Sequence, residues 1–217
     1  MNFEKARFNM IEQQIRPWDV LDGDVLQLLS EVKREDFVPL AHKVLAFADM
    51  EIPLGHGQFM LPPRVEARML QDAAIQKNEK VLEIGSGSGY MAALLAHQAQ
   101  RVISLGINPE LAKMARENLQ KAGVFNAEVR QFDGAKGTPA ESPFDVIVLS
   151  GSVAVVPSAL LAQLKVGGRL VAIVGDEPVM RATVVTRGSD TAYTTTQPWD
   201  TVAPRLQNFP EPERFTF

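Results

Sequence analysis

The segment from Val81 to Tyr90 constrains the fold of this chain more than any other part of the sequence. An apolar run ends in Glu83, and three glycines then alternate with other residues at Gly85, Gly87 and Gly89. Because glycine has no Cβ, these positions allow positive φ angles and let a ligand approach the backbone closely. The first N–H groups of a helix that follows such a turn point into the same space. The segment therefore predicts a strand, a tight turn and a helix around a nucleotide-sized pocket.

The glycine spacing distinguishes two classes of nucleotide site. A dinucleotide site requires G-x-G-x-x-G, whereas this chain has E-x-G-x-G-x-G followed by Tyr90. The pattern here is similar to the first motif of class I S-adenosylmethionine-dependent methyltransferases. We therefore favour S-adenosylmethionine as the cofactor, with Ser86 and Ser88 between the glycines as further binding residues. Another nucleotide and a purely structural turn stay open as alternatives.

The rest of the chain alternates strand-like and helical patterns, which predicts an α/β, Rossmann-like, doubly wound and mostly parallel sheet with right-handed crossovers. At 217 residues we expect one domain. Its expected parts are an N-terminal helical cap (1–50), a substrate-side loop and helix (51–79), a cofactor-binding core (80–175), and C-terminal strands and tail (176–217) with an antiparallel hairpin. The predicted core elements are the strands 80–84, 101–105, 127–132, 145–149 and 169–174, and the helices 91–99, 109–121 and 158–163.

Composition excludes several function classes. The formal charge of −4 and the absence of Lys/Arg-rich runs argue against a broad nucleic-acid interface. No apolar stretch reaches the roughly twenty residues that span a bilayer, and no signal-peptide core follows Met1, so we expect a cytoplasmic protein without a membrane partner. The chain has no cysteine and three scattered histidines, which indicates neither a metal site nor redox chemistry.

In an open α/β sheet the ligand lies at the carboxyl ends of the strands, so the residues after each strand are the candidate binding residues. The second strand ends in Gly106, where an acid normally accepts hydrogen bonds from the ribose hydroxyls. Asn108 follows and reads mainly as a helix cap, although its amide can also reach a ribose. The segment ending in Asp133 and Gly134 is a candidate adenine site or a simple Asp-Gly turn, and Ser150 follows the fourth strand, on the floor where a methyl acceptor lies.

Linked segments along nearly the whole chain resemble the protein-L-isoaspartate O-methyltransferase family. They are collinear and include two N-terminal helices, the loop beginning at Ile52, the glycine motif and the later strands: 10–16, 32–39, 52–58, 81–90, 144–148, 157–161 and 163–175. The resemblance implies transfer of a methyl group from S-adenosylmethionine to the α-carboxylate of an isoaspartyl residue in a damaged protein or peptide. The ester then closes spontaneously to a succinimide, so the implied role is protein repair.

The resemblance also places a substrate-side loop at Gly57, Gln58, Phe59, Met60 and Leu61. The family continues Gly-Gln-Thr-Ile-Ser, so Leu61 occupies the position of a serine that is regarded as important for the acceptor carboxylate. Because both Leu61 and Gly106 lack a polar side chain, we assign no catalytic residue and expect weak cofactor binding. A methyltransferase with another acceptor, such as a small carboxylate compound, and a non-catalytic scaffold protein remain alternatives, and the oligomeric state is unknown.

Overall fold

The computed structural model describes residues 2–212, and the expectations for Met1 and for 213–217 lie outside the described residues. Among the described residues, two strands, β1 (Ile52–Gly55) and β2 (Gln58–Met60), form a hairpin, and seven further strands form one sheet. The sheet strands are β3 (Lys80–Ile84), β4 (Arg101–Gly106), β5 (Ala127–Gln131), β6 (Phe144–Val153), β7 (Leu164–Asp176), β8 (Val179–Arg187) and β9 (Tyr193–Thr201). Their order across the sheet is β5-β4-β3-β6-β7-β8-β9.

The pairs among β5, β4, β3, β6 and β7 are parallel, and β8 and β9 add an antiparallel edge. The chain moves outward from β3 through β4 to β5 and then returns to the other side of β3 with β6. This reversal of strand order creates the crevice in which ligands bind in such sheets. The predicted fold class is therefore confirmed, including the C-terminal antiparallel hairpin.

Helices cover both faces of the sheet because the strands bury alternate side chains on opposite sides. Val81, Val102 and Val146 belong to one hydrophobic cluster, whereas Leu82 and Ile103 belong to a second cluster on the other face. The α-helices are α1 (Phe3–Met10), α2 (Gly23–Glu31), α3 (Pro63–Ala73), α4 (Tyr90–Gln98), α5 (Pro109–Lys121) and α6 (Ser158–Leu161).

The N-terminal cap is less regular than the helical cap predicted for 1–50. A π-helical turn at Ile11–Ile15 and 3-10 turns at Arg16–Trp18, Arg34–Asp36 and Leu40–Leu45 follow the short helices. Asp22 caps the start of α2, because its carboxylate accepts hydrogen bonds from two N–H groups in the first turn of that helix. The cap thus consists of short helical turns that pack on α3 and α4.

Two strands are longer than predicted, each because of an irregularity in register. Ser150 lies within β6 rather than after it, at a break in the pairing between Val148 and Ser152. β7 starts at Leu164 rather than at the predicted Arg169, and it passes through Gly167 with φ of +84°. Both irregularities leave the direction of the strands unchanged.

Candidate active site

The glycine turn, residues 85–89, joins β3 to α4 and is fixed against the end of β4. The N–H groups of Gly85 and Ser86 donate to the carbonyl oxygen of Leu105 at 2.8 and 3.1 Å. Gly85, Gly87 and Gly89 have φ angles of +104°, +46° and +87°, a region that L-residues with side chains rarely adopt. The sequence therefore needs glycine at all three positions to make this turn.

A cavity opens directly above this turn. Its total empty volume, open solvent at its mouth included, is about 760 Å³. Its walls come from the glycine turn, the ends of β4 and β5, the tip of the β1–β2 hairpin and the chain after β9. The lining residues are 57–59, 61, 84–87, 105–108, 111, 132–134, 150, 204–207 and 209.

Most of the residues predicted from the sequence line this cavity. The structure brings together Gly85, Ser86, Gly87, Asn108, Asp133, Gly134 and Ser150 with Gly57, Gln58, Phe59 and Leu61. Four predicted residues lie outside the lining: Glu83, Ser88, Gly89 and Met60. Ser88 and Met60 are buried and contact each other, with the serine hydroxyl 3.7 Å from the methionine sulfur.

Gly89 contributes to packing rather than to the cavity wall. A Cβ at this position would lie 3.0 Å from the carbonyl oxygen of Ala115 in α5. Such a contact is closer than real Cβ atoms allow without a shift, so the absence of a side chain lets α4 and α5 approach. Gly89, the third glycine of the motif, therefore affects the site indirectly, by allowing the close packing of α4 and α5.

Glu83 lies beneath the turn and is fully buried. Its carboxylate accepts hydrogen bonds from the Ser104 hydroxyl at 2.5 Å and from the Ser150 hydroxyl at 2.8 Å. Burial raises the pKa of Glu83 to about 7, although both serine hydrogen bonds favour the charged form and lower it; the nearby Glu66 adds to the rise. Through Ser150, Glu83 orients a hydroxyl that does line the cavity.

The polar side chains beyond β4 and β5 are largely occupied by the protein itself. The Asn108 side-chain oxygen caps α5 by accepting from the N–H groups of Glu110 and Leu111 at 2.9 and 3.0 Å. One Asp133 oxygen accepts from the N–H of Ala135 at 3.0 Å, and the other accepts from the Asn208 amide at 2.8 Å. Both residues therefore have the local structural role that the sequence offered as an alternative, while also facing the cavity.

The β1–β2 hairpin, with strands Ile52–Gly55 and Gln58–Met60, forms the wall opposite the β4 end. It packs on the glycine turn, since a Cβ at Gly87 would lie 3.4 Å from a methyl carbon of Leu54. At its tip the His56 ring nitrogen Nε2 lies 2.8 Å from a carboxylate oxygen of Glu110 in α5. The hairpin is thus tied to both sides of the cavity.

Leu61, at the end of this hairpin, is held by a buried charged residue. The guanidinium of Arg34 donates to the Leu61 carbonyl oxygen at 2.6 Å and to the Ala46 carbonyl oxygen at 3.0 Å, and it forms an ion pair with Glu66. Arg34 and Glu66 are almost inaccessible to solvent. Burial raises the pKa of Glu66 to about 7 against the opposing effect of Arg34.

Sequence reasoning missed the segment after β9, residues 203–209. The N–H of Ser152 donates to the Pro204 carbonyl oxygen at 2.8 Å, and the N–H of Leu206 donates back to the Ser152 carbonyl oxygen at 2.9 Å. Phe209 is buried in the same cluster as Ile84. No periodic or turn pattern marks this segment as a wall. Leu105 and Ile107 also line the cavity but are not among the predicted residues. The rule that ligands lie at strand ends could have indicated both from the sequence.

Comparison with known proteins gives this site a family. The sequence profile of a family described as protein-L-isoaspartate(D-aspartate) O-methyltransferase matches residues 5–202. The chain belongs to this family. The membership confirms the expected methyltransferase activity and S-adenosylmethionine as its cofactor. Family membership therefore argues against a dinucleotide-binding enzyme and against a non-catalytic scaffold protein.

Individual relatives agree with this assignment. The chain is 43% identical over 190 residues to protein-L-isoaspartate O-methyltransferase 1 of Syntrophobacter fumaroxidans, covering 88% of this chain and 89% of the relative. It is 43% identical over 171 residues to the protein-L-isoaspartate O-methyltransferase of Methanoculleus marisnigri, covering 79% of this chain and 78% of the relative.

The fold is similar to that of a Plasmodium falciparum protein assigned to the same family and solved with S-adenosyl-L-homocysteine. The TM-score is 0.80 at 18% identity, and the match covers 95% of this chain and 99% of that chain. At this level of identity the likeness concerns the fold alone.

The residues of the cavity fit the cofactor of the family. The glycine turn leaves space that side chains would fill, the first turn of α4 follows it, and apolar side chains of Leu105, Leu111 and Phe132 supply a surface for an adenine ring.

Within residues 2–212, no helix is both long and apolar enough to cross a membrane. The same residues contain no group of three or more histidine, aspartate or glutamate side chains placed to hold a metal ion.

Proposed function

We propose that this protein transfers the methyl group of S-adenosylmethionine to the α-carboxylate of isoaspartyl residues in proteins or peptides. One observation carries the proposal: Gly57, Gln58, Phe59 and Leu61, from the loop that the family resemblance assigns to the acceptor, line the same cavity as the glycine turn. Acceptor and methyl donor can therefore meet in one enclosed space. The relatives at about 40% identity are named for this reaction.

The reaction asks little of acid–base groups. A carboxylate with an unperturbed pKa near 4 is already ionised at neutral pH, so no base has to activate it. When bound, S-adenosylmethionine supplies a methyl group on a positively charged sulfur. The residues of the chain then have to hold the carboxylate in line with that group and exclude water. We assign this positioning to Gly57, Gln58 and the backbone of the hairpin.

The cofactor side of the proposal uses the residues that line the cavity. Gly85 and Gly87 approach the amino-acid part of the cofactor, and the ends of β4 and β5, with Asn108, Asp133 and Gly134, border the nucleoside. Glu83 acts indirectly by fixing the Ser150 hydroxyl. The methyl ester that forms can close to a succinimide without further catalysis, which supports a role in protein repair.

We expect Leu61 to lower the rate of the proposed methyl transfer. Its buried side chain offers no hydrogen bond where the family has a serine, and the Ser150 hydroxyl already donates to Glu83. A hydrogen bond to a charged group contributes about 1.5–3 kcal/mol, so its loss slows transfer by roughly tenfold to a hundredfold. The partly exposed Gln58 amide is the side-chain donor that remains on the hairpin side.

The test measures base-labile methyl incorporation from labelled S-adenosylmethionine into an isoaspartyl peptide and into the same peptide with a normal aspartyl residue. We expect slow, isoaspartyl-specific transfer by the natural protein. Leu61→Ser should raise the rate by about tenfold relative to Leu61→Ala, which removes the same apolar bulk without adding a hydroxyl.

Two outcomes contradict the proposal. Transfer that does not distinguish the two peptides would point to a different acceptor. Absence of transfer by both the natural protein and Leu61→Ser, with S-adenosylhomocysteine binding intact, would exclude isoaspartate as the substrate while leaving the cofactor assignment in place.

A further inference from the structure

Gly106 leaves a vacant position in a site that otherwise fits the cofactor. It is the last residue of β4, where an acid normally accepts hydrogen bonds from the ribose hydroxyls. The Asn108 side-chain oxygen cannot take over easily, because it caps α5 with two hydrogen bonds. The end of β4 therefore offers the ribose no free carboxylate or amide oxygen of its own.

The Ser86 hydroxyl occupies the space beside Gly106. A Cβ built on Gly106 would overlap the Ser86 Oγ and lie 3.2 Å from its Cβ. Ser86 is held there by its backbone, whose N–H donates to the Leu105 carbonyl oxygen at 3.1 Å. The absence of a side chain at 106 and the position of the Ser86 hydroxyl are therefore linked.

Within residues 2–212 the same hydroxyl has no hydrogen-bond partner. Ser86 is 3% exposed, and its Oγ is a buried oxygen that forms no hydrogen bond with the residues described by the structure. Buried hydroxyls are normally paired, so an unpaired one next to a ligand cavity indicates a partner that arrives with the ligand. Ser86 lines that cavity together with Gly106.

We propose that Ser86 is the ribose-positioning residue of this protein and substitutes for the missing acid at position 106. Rotation about its χ1 bond takes the hydroxyl from Gly106 to another staggered position on the cavity side, where it forms a hydrogen bond with a ribose hydroxyl. No hydrogen bond within the described residues has to break for this rotation. The inference concerns the cofactor and does not depend on the acceptor proposed above.

The first measurement is the dissociation constant of S-adenosylhomocysteine by calorimetry for the natural protein and for Ser86→Ala. We expect Ser86→Ala to bind about fivefold more weakly, the effect of one neutral hydrogen bond. Ser30→Ala is the control, because the Ser30 hydroxyl bonds only to the Gln27 carbonyl oxygen on α2, outside the cavity lining. Its affinity should equal that of the natural protein, and circular dichroism verifies that both variants are folded.

The second measurement identifies the ribose as the partner by using the 2′-deoxy and 3′-deoxy forms of S-adenosylhomocysteine. In the natural protein one of the two forms should lose about fivefold in affinity, and Ser86→Ala should bind that form as well as it binds the full ligand. The inference is overturned by a Ser86→Ala variant with unchanged affinity. It is equally overturned if the variant keeps the full penalty for both deoxy forms, or if the natural protein shows no binding at all.

Discussion

The buried Arg34–Glu66 pair gives the most demanding test of the structure. Arg34 is fully buried, and its guanidinium carbon lies 5.1 Å from the centre of the Tyr90 ring. Arg34→Met keeps much of the side-chain volume but removes the charge and every hydrogen-bond donor. Glu66 then remains in the interior without its cation, and the carbonyl oxygens of Leu61 and Ala46 lose their partner.

The expected loss follows from these contacts. Breaking a buried ion pair by removing one partner costs about 3–5 kcal/mol. Each unpaired carbonyl oxygen costs about 1–3 kcal/mol, but these terms overlap, and Glu66 can escape part of its penalty by taking up a proton. We expect Arg34→Met to lower the free energy of unfolding by about 4 kcal/mol, a large part of the stability of an ordinary domain.

The assay is equilibrium unfolding in urea at pH 7.5 without ligand. Arg34→Met/Glu66→Leu removes both buried charges, so this double variant should be more stable than Arg34→Met alone. Arg101→Met is the control, because the Arg101–Glu128 pair is half exposed and should contribute less than about 1 kcal/mol. The reasoning is refuted if Arg34→Met loses under about 1.5 kcal/mol, or if the double variant is the less stable of the two.

Two further predictions concern stability. Because the pKa of Glu83 rises from 4.5 unfolded to about 7 folded, its contribution is full below pH 4.5 and is lost as the pH climbs through 7. Between pH 5 and pH 8 the natural protein should therefore lose roughly 2–3 kcal/mol relative to Glu83→Gln in urea unfolding, and parallel pH curves would contradict this. Gly134→Ala should cost about 2 kcal/mol, since its Cβ would overlap the Ile84 side chain, whereas Gly23→Ala, with nothing within 4 Å of its Cβ, should change stability little. Equal thermal shifts for the two alanine variants would show that the contact at Ile84 is not tight.

The sequence predicts the sheet well because each strand and helix carries its own local pattern. The helix at Pro109–Lys121 was predicted with its observed bounds, since Asn108 caps it and Gly123 lies two residues after Lys121. The strands β6 and β7 were predicted too short because their irregular register depends on pairing with neighbouring strands. Periodicity within one segment carries no information about such pairing.

The candidate site shows the same difference between features set by local sequence and features set by contacts between distant parts of the chain. Residues of the glycine turn were found because their backbone geometry depends on residue type at close spacing. The ion pair of Arg34 with Glu66, and the wall formed by residues 203–209, join parts of the chain that are distant in sequence. The position of the Ser86 hydroxyl also cannot be predicted from the sequence, because the hydroxyl fills the space that a side chain at position 106 would occupy.

Leu206 lies close to two glycines, Gly151 in β6 and Gly85 in the glycine turn after β3. A Cβ on Gly151 would lie 2.8 Å from a Leu206 methyl carbon, and one on Gly85 would lie 3.1 Å from the same atom. A Cβ on Gly151 would also lie 3.1 Å from the Pro204 carbonyl oxygen, so a smaller residue at position 206 relieves part of the cost of a side chain at Gly151. In evolutionary terms the order of substitutions matters here, and descendants of this protein should change positions 151 and 206 together rather than independently.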